Sequence, residues 1–136
     1  MVSPETEPIM VTDADVDDMV LRAERLAVVD FWAPWCSSCL AIAPVVQEIR
    51  ETYAGRVLFA KMNVDGNPRT KAAVAIQSIP TVVVFAQGRE VSRVIGSDCV
   101  SASISRPPRA WRERCPRSRR IAPIEPAVVA FYRQTV

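Results

Sequence analysis

A run of β-branched and aromatic residues that passes straight into a close cysteine pair, and then into a helical pattern, constrains this chain more than any other feature. It reads AVVDFWAPWCSSCLAIAP, residues 27–44. Val28, Val29, Phe31 and Trp32 give the first part the make-up of a buried central strand. Behind the cysteines, Ile42, Val45, Val46 and Ile49 recur at helical spacing up to a stop at Gly55. Pro44 lies inside that pattern and removes a backbone bond to Leu40, so a kink is expected there. The join therefore puts a strand end, two thiols and a helix start at one point. Asp30 sits within the strand, where a carboxylate is costly unless it has a partner or a task.

The flanking segments extend this into an α/β class. VTDADVDDMVLRAERL places Val16, Met19 and Val20 at helical spacing behind a Thr12/Asp15 capping arrangement, which predicts a helix over residues 13–24. RVLFAKMNVD reads as a strand, and Asn67–Pro68 suits the N-cap and first position of a short helix, PRTKAAVAI. PTVVVFAQGREVSRVIG reads as two antiparallel strands with Gly88 in the turn. Strand, helix, strand with a long crossover implies a parallel pair.

Charge and composition divide the chain near Gly96. Residues 1–96 hold 9 Lys/Arg and 12 Asp/Glu, net −3; residues 97–136 hold 8 Arg and 3 acids, net +5; the two sum to the chain's +2. Hydrophobic residues at 49% and charged residues at 24% are globular values, so disorder of the whole chain is excluded. The expected organisation is an N-terminal arm over 1–8, a domain over 9–96 and an Arg/Pro-rich tail over 97–136. The tail has five prolines and no Leu, Lys or Gly, so residues 97–125 are expected to be irregular. PAVVAFYRQ, residues 126–134, is the one segment there with an apolar helical face; it either docks on the sheet face left bare or stays detached, and detachment is the expectation. A tail of this composition is also what an out-of-frame reading of GC-rich DNA gives; a leucine-bearing helix in a shifted frame after Gly96 would identify it.

No apolar run approaches the roughly 18 residues that cross a bilayer. MVSPETEPIM has neither a basic nor an apolar signal region, so a cytoplasmic location is expected. RERCPRSRR has one aromatic neighbour, Trp111, and no RNA-binding pattern, so it reads as a solvated basic tail rather than a nucleic-acid site.

Three chemistries fit a Cys-Ser-Ser-Cys stretch. Zinc needs about four soft ligands, yet Cys99 and Cys115 are far apart in sequence and the chain has no histidine. A packing role does not explain two cysteines at a helix start beside Trp35. A redox pair does. Backbone N–H groups at the helix start favour a thiolate on Cys36, and Cys39, one turn on, is placed to close a disulfide with it. In a reducing compartment that is the expected use of such a pair.

VDFWAPWCSSC, IAPVVQEI, AKMNVDGNP, IQSIPTVVVFAQG and VIG, in this order from about residue 9 to Gly96, resemble the thioredoxin family. The resemblance implies a thioredoxin-like fold, a central mixed sheet flanked by helices, with the family's final amphipathic helix missing or replaced here. It implies that Cys36 attacks a substrate disulfide, that Cys39 resolves the mixed disulfide, and that Asp30 exchanges the proton of Cys39, with Lys61 paired to that acid. Ile79–Pro80 matches the cis-proline loop, and Trp35, Ile79, Pro80 and Gly96 match the rim that receives a partner's extended segment. The implied partners are disulfide-containing proteins and an NADPH-dependent thioredoxin reductase; no cofactor or metal is implied for this chain.

Three departures from the family pattern stand out. Ser37–Ser38 replaces the usual Gly-Pro, so a somewhat more oxidising pair is expected; Leu40 stands where a lysine is common, so one positive charge near the attacking thiolate is missing. The tail replaces the last helix. A second reading follows from it, a binding module or destabilised paralogue in which the altered C-terminus serves docking rather than turnover.

Overall fold

The computed structural model describes residues 8–52, 57–105, 115 and 119–120. Among these residues six strands form one mixed sheet in the order β1-β3-β2-β4-β5-β6. They are β1 (Ile9–Met10), β2 (Leu26–Trp32), β3 (Val57–Asn63), β4 (Thr81–Ala86), β5 (Arg89–Ile95) and β6 (Arg119–Arg120). β3 runs parallel to β1 and β2, whereas β2–β4, β4–β5 and β5–β6 are antiparallel. The helices are α1 (Ser37–Ala41), α2 (Ala43–Thr52), α3 (Pro68–Ala73) and α4 (Ser97–Ser105).

Strand pleating sorts the core into two faces. Ala27, Val29 and Phe31 of β2 cluster with Val83 and Phe85 of β4, Ala60 and Met62 of β3, and Val16, Val20 and Ile76. On the other side, Val28 and Val84 pack with Leu26, Val57, Phe59 and with Ile49 of α2. Val82 and Val94 meet Ile42, Val45 and Val46 there, together with Val100 of α4. β2 is therefore covered on both faces, which is why its sequence is nearly continuous in apolar residues.

Local chemistry sets the joins. β4 and β5 are linked by Gln87 and Gly88, with φ of 52° and 80°; two successive positive φ values form the turn whose twist matches a hairpin. The Cβ of any residue at 88 would come within 3.0 Å of the Leu21 carbonyl oxygen, a second reason for glycine. α1 and α2 are separated at Ile42, beside Pro44, where the kink is expected.

Several expectations need correction. The helix over 13–24 is a turn followed by a π-helical segment, Asp17–Leu21. Thr12 and Asp15 do cap its start, the Thr12 amide donating to Asp15 Oδ1 at 2.6 Å. Val16 and Val20 are buried, but Met19 is exposed. α3 spans only Pro68–Ala73, and although Asn67 occupies its N-cap position, the side chain makes no cap bond. Asp13 supplies the cap instead, accepting from the Arg69 amide at 3.0 Å and the Thr70 amide at 2.8 Å. Asn67 holds that loop in place by accepting from the Asp13 amide at 2.8 Å.

The largest correction is at the tail. Residues 97–105 are helical, so a helix does follow β5 where irregular chain is expected, and the expectation for residues 106–114, 116–118 and 121–125 lies outside the described residues. Serine lowers helix propensity by only about 0.5 kcal/mol per residue, and the burial of Val100 against Ile42, Val46 and Val94 outweighs it. Arg119–Arg120 add a short edge strand to β5, with Ser92 opposite Arg120. The segment 126–134, the arm residues 1–7 and the stop at Gly55 lie outside the described residues.

Candidate active site

The site forms where β2 hands the chain to α1. Cys36 is the N-cap of α1 in an extended conformation, and its own amide donates to the Ala33 carbonyl at 3.1 Å. The Cys36 carbonyl accepts the first helical bond, from Leu40 at 3.2 Å. In that geometry the Cys39 amide donates to Cys36 Sγ at 3.2 Å, and Ser38 Oγ lies 3.4 Å from the same sulfur. Cys36 and Cys39 are joined in a disulfide, with Cα atoms 5.3 Å apart. Both are 5% exposed and belong to the cluster that holds Phe31 and Val64, with Trp32 and Ile79 packed against it.

The remaining expected residues fall around the pair. Trp35 is 68% exposed, and its Nε1 donates to Asp65 Oδ2 at 2.6 Å. The Ile79–Pro80 bond is cis. Gly96, at φ 91°, donates its amide to the Pro80 carbonyl at 2.8 Å, so the end of β5 is fastened to the proline loop. The Thr81 hydroxyl donates to the Ser78 carbonyl at 2.6 Å and braces the other side of that loop.

Asp30 is 6% exposed, and its Oδ1 has no hydrogen-bond partner among the described residues. Burial pushes its pKa up to about 6, against the pull of Lys61 and Arg50. Lys61 and Asp30 face one another as register partners in the β2–β3 ladder. No ion pair joins them, however, and the Lys61 ammonium lies over the Trp32 ring, 4.0 Å from its centroid. The expected Asp30–Lys61 pairing is thus a through-space attraction, because the ring face offers the ammonium a competing seat.

Asp65 is the residue that sequence reasoning passed over. Its segment, AKMNVDGNP, stands out in the sequence, but an acid 30 positions from Trp35 carries no signal of the hydrogen bond it accepts. The Asp65 amide is itself tied to Asn63 Oδ1 at 3.0 Å, which fixes the carboxylate at the end of β3. Among the described residues there is no cluster of acids and cysteines able to hold a metal. No described helix is long and apolar enough to cross a membrane.

Comparison with known proteins matches this arrangement to one family. The family model described as Thioredoxin covers residues 7–105. A thioredoxin of Synechocystis sp. is 46% identical over 87 residues, 64% of this chain and 81% of the relative. A thioredoxin of Haemophilus influenzae is 39% identical over 92 residues, 68% of this chain and 86% of the relative. The chloroplastic M-type thioredoxin of Brassica napus is 41% identical over 88 residues, and this chain spans about half its length, 50%. Since the family match takes in α4 as well as the cysteine pair and covers most of the 136 residues, the chain belongs to the thioredoxin family.

Proposed function

We propose that the protein is a thiol-disulfide oxidoreductase that reduces disulfides of other proteins through Cys36 and Cys39. The observation that carries this reading is the disulfide at the cap of α1, with the Cys39 amide directed at Cys36 Sγ. Once the pair is reduced, that donor stabilises negative charge on Cys36 more than on Cys39. The Cys36 thiolate attacks one sulfur of the substrate disulfide, and the other substrate sulfur leaves as a thiolate. Cys39 then loses its proton and attacks Cys36 Sγ. The second substrate thiol is released and the Cys36–Cys39 disulfide is restored. The substrate gains two electrons and the pair loses two.

Asp30 is the proposed acceptor of the Cys39 proton. A carboxyl held at about 6 gives and takes protons near neutrality, as a general base for a thiol must. Lys61 tunes it by charge. The exposed Trp35 ring, the half-buried Ile79 and the backbone of the Pro80 loop, fastened to Gly96, are the proposed seat for an extended substrate segment. An NADPH-dependent thioredoxin reductase is the proposed source of electrons. A reducing compartment suits this chemistry, and the cytoplasm is the one we propose.

The test is disulfide reduction of insulin with dithiothreitol or with NADPH and a thioredoxin reductase. Cys36→Ser is expected to abolish it, whereas Cys39→Ser should accumulate mixed disulfides that survive acid quenching. Turnover retained by Cys36→Ser would overturn the assignment of the nucleophile.

A further inference from the structure

The chemistry above leaves two cysteines unused. Cys99, on α4, is joined to Cys115 in a second disulfide, with Cα atoms 6.0 Å apart and a sequence separation of 16. Cys115 is 2% exposed. It sits among Ile42, Val46, Val94 and Val100, with Val82 and Cys99 packed against them. Ile42 is the residue between α1 and α2, and α4 itself touches α1 and β5. The bond therefore joins α4 to Cys115 within the apolar wall that supports the active-site helix.

The two sulfurs differ in access. Cys99 is half-buried and Cys115 is enclosed, so an incoming thiolate reaches Cys99 Sγ first. Cys115 must then leave as a thiolate inside an apolar cluster, which makes it a poor leaving group. At the Cys36–Cys39 pair the thiol that leaves is Cys39, and Asp30, proposed above to exchange its proton, relieves that handicap there. Once the bond is open, Cys115 is held at the cluster by its own small side chain and by the two-residue pairing of β6 with β5. Burial of a single cysteine and a two-residue edge pairing do not offset the entropy of closing the chain between positions 99 and 115.

We propose that Cys99–Cys115 is a second redox couple, a latch that a dithiol opens more slowly than Cys36–Cys39 and whose opening unseats Cys115 from the cluster beside α1. A dithiol thiolate attacks Cys99 Sγ, and the Cys99–Cys115 bond breaks as Cys115 leaves and takes up a proton. The second thiol of the reductant then displaces Cys99, which is released as a thiol. The reductant loses two electrons and closes its own disulfide, and the latch gains two electrons and two protons. This exchange does not depend on turnover at Cys36–Cys39.

The experiment uses the full chain, air-oxidised, and its Cys36→Ser/Cys39→Ser variant. Each is treated with dithiothreitol, quenched in acid at intervals, alkylated and mapped by peptide mass. In the unmodified chain, thiols at 36 and 39 should appear first, and those at 99 and 115 together, at least about tenfold more slowly. In the variant, opening of the remaining couple should lower the thermal midpoint by about 10 °C. Amide protection around Val100 should fall with it in both proteins, so the unmodified chain decides the matter if the variant does not fold. Alkylation of Cys99 or Cys115 before any reductant is added would overturn the proposal. So would pairing of either with Cys36 or Cys39, opening as fast as Cys36–Cys39, or opening that leaves the Val100 amide protected.

Discussion

Replacing Asp30 by asparagine should make the oxidised protein more stable, and by an amount that depends on pH. An ordinary aspartate titrates near 3.8, and in the folded protein burial pushes Asp30 up to about 6. Between those values the folded chain holds a proton that the unfolded chain has released. Stability therefore falls as pH rises through this window, and the full loss is present above about pH 6. Each pH unit of separation is worth about 1.4 kcal/mol, so ionised Asp30 lowers stability by about 3 kcal/mol relative to the protonated acid. The carboxamide of Asp30→Asn never ionises. It brings its own fixed penalty, because Asp30 Oδ1 has no hydrogen-bond partner among the described residues and a carboxamide finds none to inherit there. That penalty does not change with pH, so the pH-dependent part of the difference is the quantity to read.

The assay is urea unfolding of the oxidised protein and of Asp30→Asn from about pH 4 to about pH 8, with the slope checked for constancy. The two stability curves should draw apart by about 2.5 kcal/mol across the range, since the unfolded aspartate is already half ionised at about pH 4, the variant gaining at the alkaline end. Lys61→Gln should widen the gap, since loss of that positive charge removes one of the attractions holding the carboxyl down. Parallel curves for wild type and Asp30→Asn would refute the reasoning, because they would mean that Asp30 ionises as readily in the folded protein as in the unfolded chain.

Two further substitutions test how the frame is held. Gly88→Ala should lose about 1–2 kcal/mol for the left-handed backbone alone and more for the Leu21 carbonyl oxygen 3.0 Å from the new Cβ. Gly96→Ala, at φ 91° with nothing within 4 Å of its Cβ, should lose only the backbone part; equal urea midpoints for the two would refute the close approach. Asp13→Ala should lower the urea midpoint and expose the Arg69 and Thr70 amides to exchange. Desolvation raises the Asp13 carboxyl but the hydrogen bonds of Thr70 and Arg69 bring it below its ordinary value, so its contribution is present above 3.8 and vanishes as pH falls through the lowered value. Unchanged exchange at Arg69 and Thr70 would remove Asp13 from the cap.

What was legible in the sequence is what neighbouring residues decide among themselves. The apolar run of β2, the hairpin at Gln87–Gly88 and the cysteine at the head of α1 each depend on a few consecutive residues. The same holds for the break at Ile42 beside Pro44. What was not legible depends on partners far along the chain. Asp13 caps α3 across more than fifty residues, and nothing in PRTKAAVAI says that its cap is supplied from elsewhere. Asp65 and Trp35 meet across thirty. Lys61 resembles an ion-pair partner for Asp30 until the Trp32 ring is seen to occupy its ammonium.

The tail shows the same limit most sharply. Counted alone, SDCVSASIS is a poor helix followed by two prolines, and local propensity argues for irregular chain. Propensity loses here because α4 is not alone. Val100 enters the cluster of Ile42, Val46 and Val94, and Cys115 enters the same cluster from beyond the prolines. Four cysteines allow three pairings, and the spacing of Cys99 and Cys115 does not select one. Only the folded wall of α2 and β5 brings these two together. A short helix that is too weak by itself is thus held by burial on one side and by a covalent bond on the other. Its persistence should follow the state of that bond more closely than the state of Cys36–Cys39, whose partners are both within α1 and its cap.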